Sequence, residues 1–147
     1  MHWKYKSFDE LTKYELYFLL ALRAEIFVVE QEIAYQDLDQ KDFSSFHLLG
    51  TNTVGDLIAY ARILPAGISY PEISIGRVVV SNKYRAKGLG RTLMNQCFQY
   101  IEQQYGNVPI RISAQVYLEK FYQSLGFKNQ SDSYMEDGIP HVEMLRE

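Results

Sequence analysis

Runs with a helical period and runs with a strand period follow one another along this chain, and each change of period predicts a new element. In LTKYELYFLLALRAEIFVVEQ, apolar residues recur at spacings of three and four, which predicts an amphipathic helix ending near Val28. Ser7 or Asp9 is the expected cap of that helix. The next segment, EQEIAYQDLDQKDFSS, is acidic and lacks a period, so it is interpreted as an ordered or half-helical loop.

Strand patterns dominate the middle of the chain. FHLLGT and DLIAYARILP, separated by NTVG, predict a β-hairpin, and ISIGRVVVS predicts a third, long strand. From Gly88 to Tyr105 the spacing of three and four returns and predicts a helix of about four turns. IRISA then predicts a short strand, VYLEKFYQSLG a helix closed by Gly126, and the last residues a hairpin around DGI.

The resulting order, β-α-loop-β-β-β-α-β-α-β-β, predicts an α/β fold (α+β), a mixed sheet with helices on its faces. At 147 residues, with 47% hydrophobic and 22% charged residues, the chain is expected to form a single domain over residues 1–147. No internal repeat or linker divides it.

Charge and composition narrow the function classes. The net charge of -3 argues against nucleic acid as a partner. The single cysteine, Cys97, lies on the apolar stripe of a predicted helix and is expected to be buried. The three histidines are scattered, so no metal site is predicted, and no apolar run is long enough for a membrane span. A cytoplasmic protein is expected, and the sequence leaves a homodimer open.

The segment SIGRVVVSNKYRAKGLGRTLM combines a strand, a basic turn with two glycines and the start of a helix. The first amides of a helix have no internal partner and attract anions, and arginine pairs well with phosphate oxygens. The segment therefore predicts a phosphate or pyrophosphate site. A nucleic-acid patch is the rival interpretation of its four bases, but no recognition motif accompanies them.

The turn contains R-x-x-G-x-G (Arg85, Gly88 and Gly90), whereas the dinucleotide fingerprint and the P-loop are both absent. This spacing resembles the acyl-coenzyme A (acyl-CoA) pyrophosphate loop of the GCN5-related N-acetyltransferase (GNAT) superfamily. The later segment FYQSLGF resembles the superfamily's second cofactor segment. LRAEIFVVEQEIAYQDLDQKD, HLLG, AYARILP, IGRVVVS and DGIPHVEM further resemble its ElaA-like branch, so the resemblance covers nearly the whole chain.

The resemblance implies a mostly antiparallel central sheet splayed between the strand ending at Ser81 and the strand 110–114. It also implies an N-acetyltransferase that moves an acetyl group from acetyl-CoA to a primary amine, small-molecule or peptide, by direct attack in a ternary complex. The amide of Val78 or a neighbour would face the thioester oxygen. The implied cofactor-binding residues are Val78, Val79, Val80, Arg85, Ala86, Lys87, Gly88, Leu89, Gly90, Arg91, Gln115 and Tyr122. A non-catalytic CoA-binding sensor of the same fold is the alternative.

Tyr122 matches the superfamily tyrosine that acts as general acid beside the thioester sulfur, with Tyr117 as the fallback. The general base is left open between Glu72 and Glu30, with two histidines as further candidates for proton relay. The residues expected on the acceptor side are Arg23, Glu30, His47 and His141. Arg23 has two interpretations, because it could hold a substrate carboxylate or pair with an acid of the loop 30–42. That acidic loop would favour a cationic acceptor if it rims the pocket, and is otherwise a solvated surface.

Overall fold

The strands of the computed structural model, which describes residues 1–147, form two four-stranded antiparallel arrays. In the first, strands follow the chain order: β1 (His2–Ser7), β2 (Phe46–Thr51), β3 (Leu57–Leu64) and β4 (Ser74–Val80). The second contains β5 (Ile110–Gln115), β6 (Phe127–Asn129), β7 (Tyr134–Glu136) and β8 (Ile139–Arg146). The long strand β8 pairs with all three others in that array.

The helices cover the two faces of these sheets. They are α1 (Lys13–Arg23), which continues as a π-helical segment (Ala24–Glu30), α2 (Leu89–Tyr105) and α3 (Glu119–Ser124). Short 3₁₀ turns occupy Lys41–Ser44, Asn82–Tyr84 and Val116–Leu118. No helix is both long enough and apolar enough to cross a membrane. The predicted α/β fold, with a mostly antiparallel sheet between helices, is confirmed.

Two element boundaries differ from the sequence prediction. Thr12, not Ser7 or Asp9, caps α1: its hydroxyl accepts from the Glu15 amide while the Glu15 carboxylate accepts from the Thr12 amide. This reciprocal pair satisfies two amides at once, so the helix starts after it. The expected final hairpin has its first strand divided into β6 and β7, which both pair with β8.

Apolar side chains form a larger and a smaller core on opposite faces of the first sheet. The larger cluster of 18 buried residues joins both sheets to α2 and α3, and includes Leu93, Cys97, Ile112 and Met144. The smaller cluster of 6 packs α1 against β2, β3 and β4. Cys97 is fully buried as expected, and its burial raises the pKa of its thiol, which makes it unsuited to act as a nucleophile.

The two sheets meet where β4 and β5 begin, and separate from there. A parallel bridge joins Ile73 to Ile110, and the Arg111 amide donates to the Ile73 carbonyl at 2.9 Å. Beyond this join β4 is paired with β3 and β5 with β8, but the two strands are not paired with each other. The splay implied by the family resemblance is therefore present at the predicted strands.

The acidic loop between α1 and β2 is held by a buried ion network, not by solvent. Asp37 and Asp42 both accept from the fully buried Arg23, at 2.9 and 2.7 Å. Arg62 of β3 donates to Asp42 at 3.1 Å and to Asp39 at 2.8 Å. Three of the acids expected to attract a cationic acceptor or to face solvent are thus paired with arginines: Asp37 and Asp42 are buried, and Asp39 is partly exposed. Of the two interpretations of Arg23, the structure shows the ion pair with loop acids.

We expect Asp42→Asn to lower the free energy of unfolding at pH 7 by about 3 kcal/mol, because it leaves a fully buried arginine with one carboxylate fewer. Burial by itself would raise the pKa of Asp42, but hydrogen bonds and charge from Arg23 and Arg62 outweigh it and lower that pKa. At Asp39 burial is likewise outweighed, by hydrogen bonding and charge from Arg62, and the pKa of that carboxyl is lowered to about 2. The network therefore stabilises the fold above about pH 4 and loses that contribution as the pH falls toward 2.

Urea unfolding followed by circular dichroism at several pH values measures both effects. Asp9→Asn is the matched control, since Asp9 is exposed and makes no side-chain hydrogen bond or ion pair. Equal stability of the Asp42 and Asp9 variants, or a wild type as stable at pH 3 as at pH 7, would contradict a stabilising role for the network.

Candidate active site

The splay between β4 and β5 opens into a cleft of about 910 Å³. Its lining includes the loop from Arg85 to Gly90 and the strands β4 and β5. The loop carrying Tyr35 and the β7–β8 turn at Asp137 also border it. A cleft of this size suits an extended ligand that enters between the strands.

A β-bulge shapes the β4 wall of the cleft. Tyr60 pairs with Val79 and Arg62 with Gly76, so two residues of β4, Arg77 and Val78, lie opposite the single residue between them on β3. The left-handed residue of the bulge is Arg77, with φ 48, and not the adjacent Gly76. A bulge leaves its extra residue outside the regular ladder and turns the strand locally. The backbone at Arg77 and Val78 thereby becomes available to the cleft.

An ion pair holds that strained bulge. The Arg77 guanidinium donates to the Asp37 carboxylate at 2.7 Å and to the Asp37 carbonyl at 2.9 Å. Asp37 is itself buried and also accepts from Arg23 and from the Tyr35 hydroxyl. A left-handed non-glycine residue persists when its surroundings fix it, and here Asp37 links the bulge to the buried network.

The glycine-bearing loop has the geometry of an anion site. Ala86 and Gly88 both have positive φ, 63 and 73, and Gly88 is the N-terminal cap of α2 without any side-chain hydrogen bond. The first turn of α2 contains no acidic residue. Its amides therefore keep their unsatisfied donors beside the positive end of a helix of 17 residues. Leu89 and Gly90 of this turn line the cleft.

The basic side chains of this loop do not all face the cleft. Arg85 lines it, whereas the Lys87 ammonium lies over the Tyr84 ring. Arg91 lies over the Phe121 ring and donates to the Ser124 hydroxyl at 2.7 Å. The backbone and Arg85 are thus the parts of the predicted phosphate loop that border the cleft, with Lys87 and Arg91 engaged beside it.

Arg85 is engaged by Glu30, the last residue of the π-helical segment. The guanidinium makes a two-point contact with the carboxylate, at 2.9 and 2.7 Å, and both side chains are partly exposed. Glu30 was a candidate base, but in this arrangement it occupies the arginine that the sequence assigns to phosphate. An incoming phosphate would therefore compete with a carboxylate for the same donors.

Tyr122 lies deep in the cleft wall on α3. Its ring packs edge-on against Phe121 and Phe127, and 7% of the residue is exposed. The hydroxyl makes no hydrogen bond to another protein group, and burial raises its pKa. A phenol in this position stays protonated at neutral pH and has a proton to donate. Tyr117, the fallback acid, also borders the cleft but is 73% exposed.

Two of the acceptor-side candidates lie outside the cleft. His47 is fully buried between the Tyr60 hydroxyl, at 2.7 Å, and the Asp42 carbonyl, at 3.0 Å, so it has a structural environment. Arg23 is fully buried in the ion network. The catalytic candidate Glu72 also lies away from the cleft: two hydrogen bonds from Arg111 lower the pKa of its carboxyl, which weakens it as a base.

His141 and Gln115 do reach the cleft, side by side. They are paired across β5 and β8, and the Gln115 side chain accepts a hydrogen bond from Gln31 at 3.4 Å. Sequence reasoning missed Glu136, which also lines the cleft and lies 3.3 Å from His141. A signal for it existed, because a tight turn at Asp137-Gly138 places Tyr134 opposite His141 and Glu136 on the same face. Tyr35 and Tyr70, also missed, carried no comparable signal.

Comparison with known proteins shows the family to which a chain with this fold and cleft belongs. A family model described as an acetyltransferase (GNAT) domain matches residues 22–147. The ElaA protein of Escherichia coli is 40% identical over 149 residues, covering 100% of this chain and 97% of ElaA. Its crystal structure superposes with a TM-score of 0.92 at 39% identity, with 99% of each chain covered.

Two further solved structures are similar to this chain. An acyl-CoA N-acyltransferase of Pseudomonas aeruginosa is 39% identical, with 100% of both chains covered and a TM-score of 0.93. An aminoglycoside 6'-N-acetyltransferase complexed with coenzyme A shares the fold at 15% identity and a TM-score of 0.70, covering 97% of this chain and 96% of its own. The chain belongs to the GNAT superfamily of acyltransferases, in its ElaA-like branch.

We expect Glu30→Gln to strengthen binding of CoA by up to about fivefold, because it removes the carboxylate that competes for Arg85. This upper limit on the change in affinity follows from the small free energy that a partly exposed ion pair contributes. Isothermal titration of the free protein with CoA measures the change directly.

Glu102→Gln, on the exposed C-terminal half of α2, is the matched control for loss of one negative charge. Arg85→Glu is the opposite variant and should weaken CoA binding about tenfold or more, since it removes a charged donor and adds repulsion. Unchanged affinity in Glu30→Gln together with lost turnover at saturating acetyl-CoA would instead make Glu30 a catalytic group.

Proposed function

We propose that this acyltransferase moves an acetyl group from acetyl-CoA to a primary amine, by direct attack within a ternary complex. The observation that carries the proposal is one continuous cleft that is lined by the loop Arg85–Gly90, both strands of the β4–β5 split, Tyr122 and the polar β7–β8 turn. A two-substrate transfer requires that both substrates be held together in the right geometry at one reacting centre.

The cofactor half of the cleft fits coenzyme A in charge and shape. The amides at the start of α2 and Arg85 would hold the pyrophosphate. The pantetheine arm carries amide groups and would pair with the backbone of Val78 to Val80, where β4 lacks a neighbour on the β5 side. Support comes from the aminoglycoside acetyltransferase, which shares this fold and was crystallised with coenzyme A.

Acyl transfer from a thioester to an amine requires a neutral amine, stabilisation of the oxyanion and a proton for the departing thiolate. Bound acetyl-CoA supplies a thioester carbonyl that a neutral amine can attack. The backbone amide at Val78, beside the bulge, would stabilise the negative charge that develops on the carbonyl oxygen. The Tyr122 hydroxyl would donate its proton to the departing thiolate. No covalent enzyme intermediate is needed, and the buried Cys97 offers no nucleophile for one.

We expect Tyr122→Phe to lower kcat about 100-fold or more while leaving the Kd for CoA nearly unchanged. The variant removes one hydroxyl, keeps the ring packed against Phe121 and Phe127, and deletes a general acid, whose usual contribution is of this size. Steady-state kinetics and a CoA titration measure the two quantities. Tyr117→Phe is the matched control, and equal turnover in wild type and Tyr122→Phe would remove Tyr122 as the acid.

Release of free CoA thiol from acetyl-CoA tests the function itself. The acceptor panel contains polyamines, amino acids, aminoglycosides and short peptides, and butyryl-CoA and succinyl-CoA replace acetyl-CoA to test the donor. A rate that rises with one amine and falls with the longer donors supports the proposal. Tight CoA binding without amine-dependent turnover would contradict transfer to these acceptors, and faster turnover of a longer donor would contradict acetyl-CoA.

A further inference from the structure

The acceptor end of the cleft is built on one face of the second sheet. Side chains of β5 and β8 alternate between two faces, and Ile112, Ala114, Val142 and Met144 enter the core beneath α2. The opposite face of these strands carries Ser113 and Gln115 on β5 and His141 and Glu143 on β8. The strand β7 adds Tyr134 and Glu136 to that face. The register thus gathers a strip of polar side chains on one face, and Ser113, Gln115, Glu136 and His141 of this strip line the cleft.

Most side chains of this strip already form a hydrogen bond or an ion pair with another protein group. Glu143 pairs with Arg111 at 2.6 Å, and the Ser113 and Tyr134 hydroxyls bond each other. Gln115 bonds Gln31. His141 has a different kind of environment: its Nδ1 forms a hydrogen bond of 2.7 Å with the Ile139 carbonyl, whereas its Nε2 lies 3.3 Å from a Glu136 carboxylate oxygen without a hydrogen bond to it.

These contacts leave Nε2 as the ring nitrogen that can accept a proton. A carbonyl can only accept a hydrogen bond, so the hydrogen of the neutral imidazole belongs on Nδ1 and the lone pair on Nε2. When Nε2 gains a proton, the Glu136 carboxylate stabilises the resulting imidazolium. The other charged or titratable neighbours are Tyr134, stacked on the ring, and Glu143, which is engaged by Arg111. His141 is 7% exposed and lines the cleft, so the ring is held and the site is reachable.

We propose that His141, with Glu136 as its positioning partner, is the general base that deprotonates the acceptor ammonium. This inference rests on the proposed amine acetylation. The other candidates are engaged elsewhere: Glu30 by Arg85, Glu72 by Arg111, and His47 in the protein interior. The half-exposed Glu136 also attracts the ammonium toward the base, which selects a cationic amine as acceptor.

The proton balance is complete without another reactant. The ammonium gives one proton to Nε2, and the neutral nitrogen then forms the N–C bond to the thioester carbonyl. The C–S bond breaks, the nitrogen loses a second proton as the amide forms, and the thiolate gains one from Tyr122. The nitrogen's second proton restores Tyr122, and Nε2 releases its proton to solvent.

His141→Asn tests the role of the imidazole. Asparagine keeps an N–H that can donate to the Ile139 carbonyl but has no group to accept the proton. With n-butylamine and spermidine at pH 7, kcat/KM should fall about 100-fold, a usual contribution of a general base. With 2,2,2-trifluoroethylamine, which is mostly neutral at that pH, the loss should be much smaller. His2→Asn, at an exposed position on β1, is the matched control.

Glu136→Gln tests the positioning partner through the pH profile. Loss of the carboxylate removes the negative charge beside the protonated ring, so the rising limb of kcat/KM should move to lower pH. A residue with only a packing role would leave this limb in place. Histidine NMR of the same proteins follows the imidazole directly, with the His141 signal assigned by its absence from His141→Asn.

The outcomes separate the two proposals. Amine turnover by the wild type with an equal loss for all three amines in His141→Asn, or with no loss, would overturn the base assignment alone. A His141 imidazole that does not titrate between pH 5 and 9 would overturn it as well. Absence of wild-type turnover with every amine would refute the proposed function, and the base assignment with it.

Discussion

The feature on which the rest of the structure depends is the separation of β4 from β5 after a single backbone join. If the two parallel strands continued side by side, their backbone N–H and C=O groups would pair with each other and no cleft would form between them. Here the Arg111 amide and the Ile73 carbonyl hold the strands together at their start, and the larger core beneath α2 holds both sheets from below. The strand edges that separate lose a ladder partner, which is tolerable where water or an extended ligand with amide groups can replace it. A binding cleft for an acyl-CoA follows from this one constraint.

The buried ion network links the stability of the fold to the shape of the cleft. Arg23 on α1, Arg62 on β3 and Arg77 in the bulge of β4 share three aspartates from one loop. Six charges in a small volume are costly to bury unless each is paired, so the loop has little freedom to move independently of the sheet. Because the same loop borders the cleft and clamps the bulge through Asp37, the geometry of the β4 wall and the folding of the loop are set together.

Two groups of residues along the cleft have different chemistry. At the start of α2, backbone donors and Arg85 suit a phosphate anion, with Glu30 on that arginine. At the β7–β8 turn, Glu136 and Asp137 line the cleft next to an imidazole. Tyr122 and His141 both border this cleft. A proton donor and a proton acceptor on separate elements, α3 and β8, suit the two ends of a transfer reaction.

Local pattern determined most of the elements of this protein, because period, turn residues and the R-x-x-G-x-G spacing act within a few residues of one another. β2, β3, β4, α2 and the loop from Arg85 to Gly90 lie where the sequence predicts them. Tertiary structure decided the properties that depend on distant partners. Arg23 and the loop aspartates could equally have faced solvent or substrate, until packing of α1 against the sheet enclosed them. His47 and His141 both lie in strands, and local pattern does not distinguish them. The tertiary structure buried His47 and brought His141 to the cleft beside Glu136, because burial depends on which face of each sheet a helix covers.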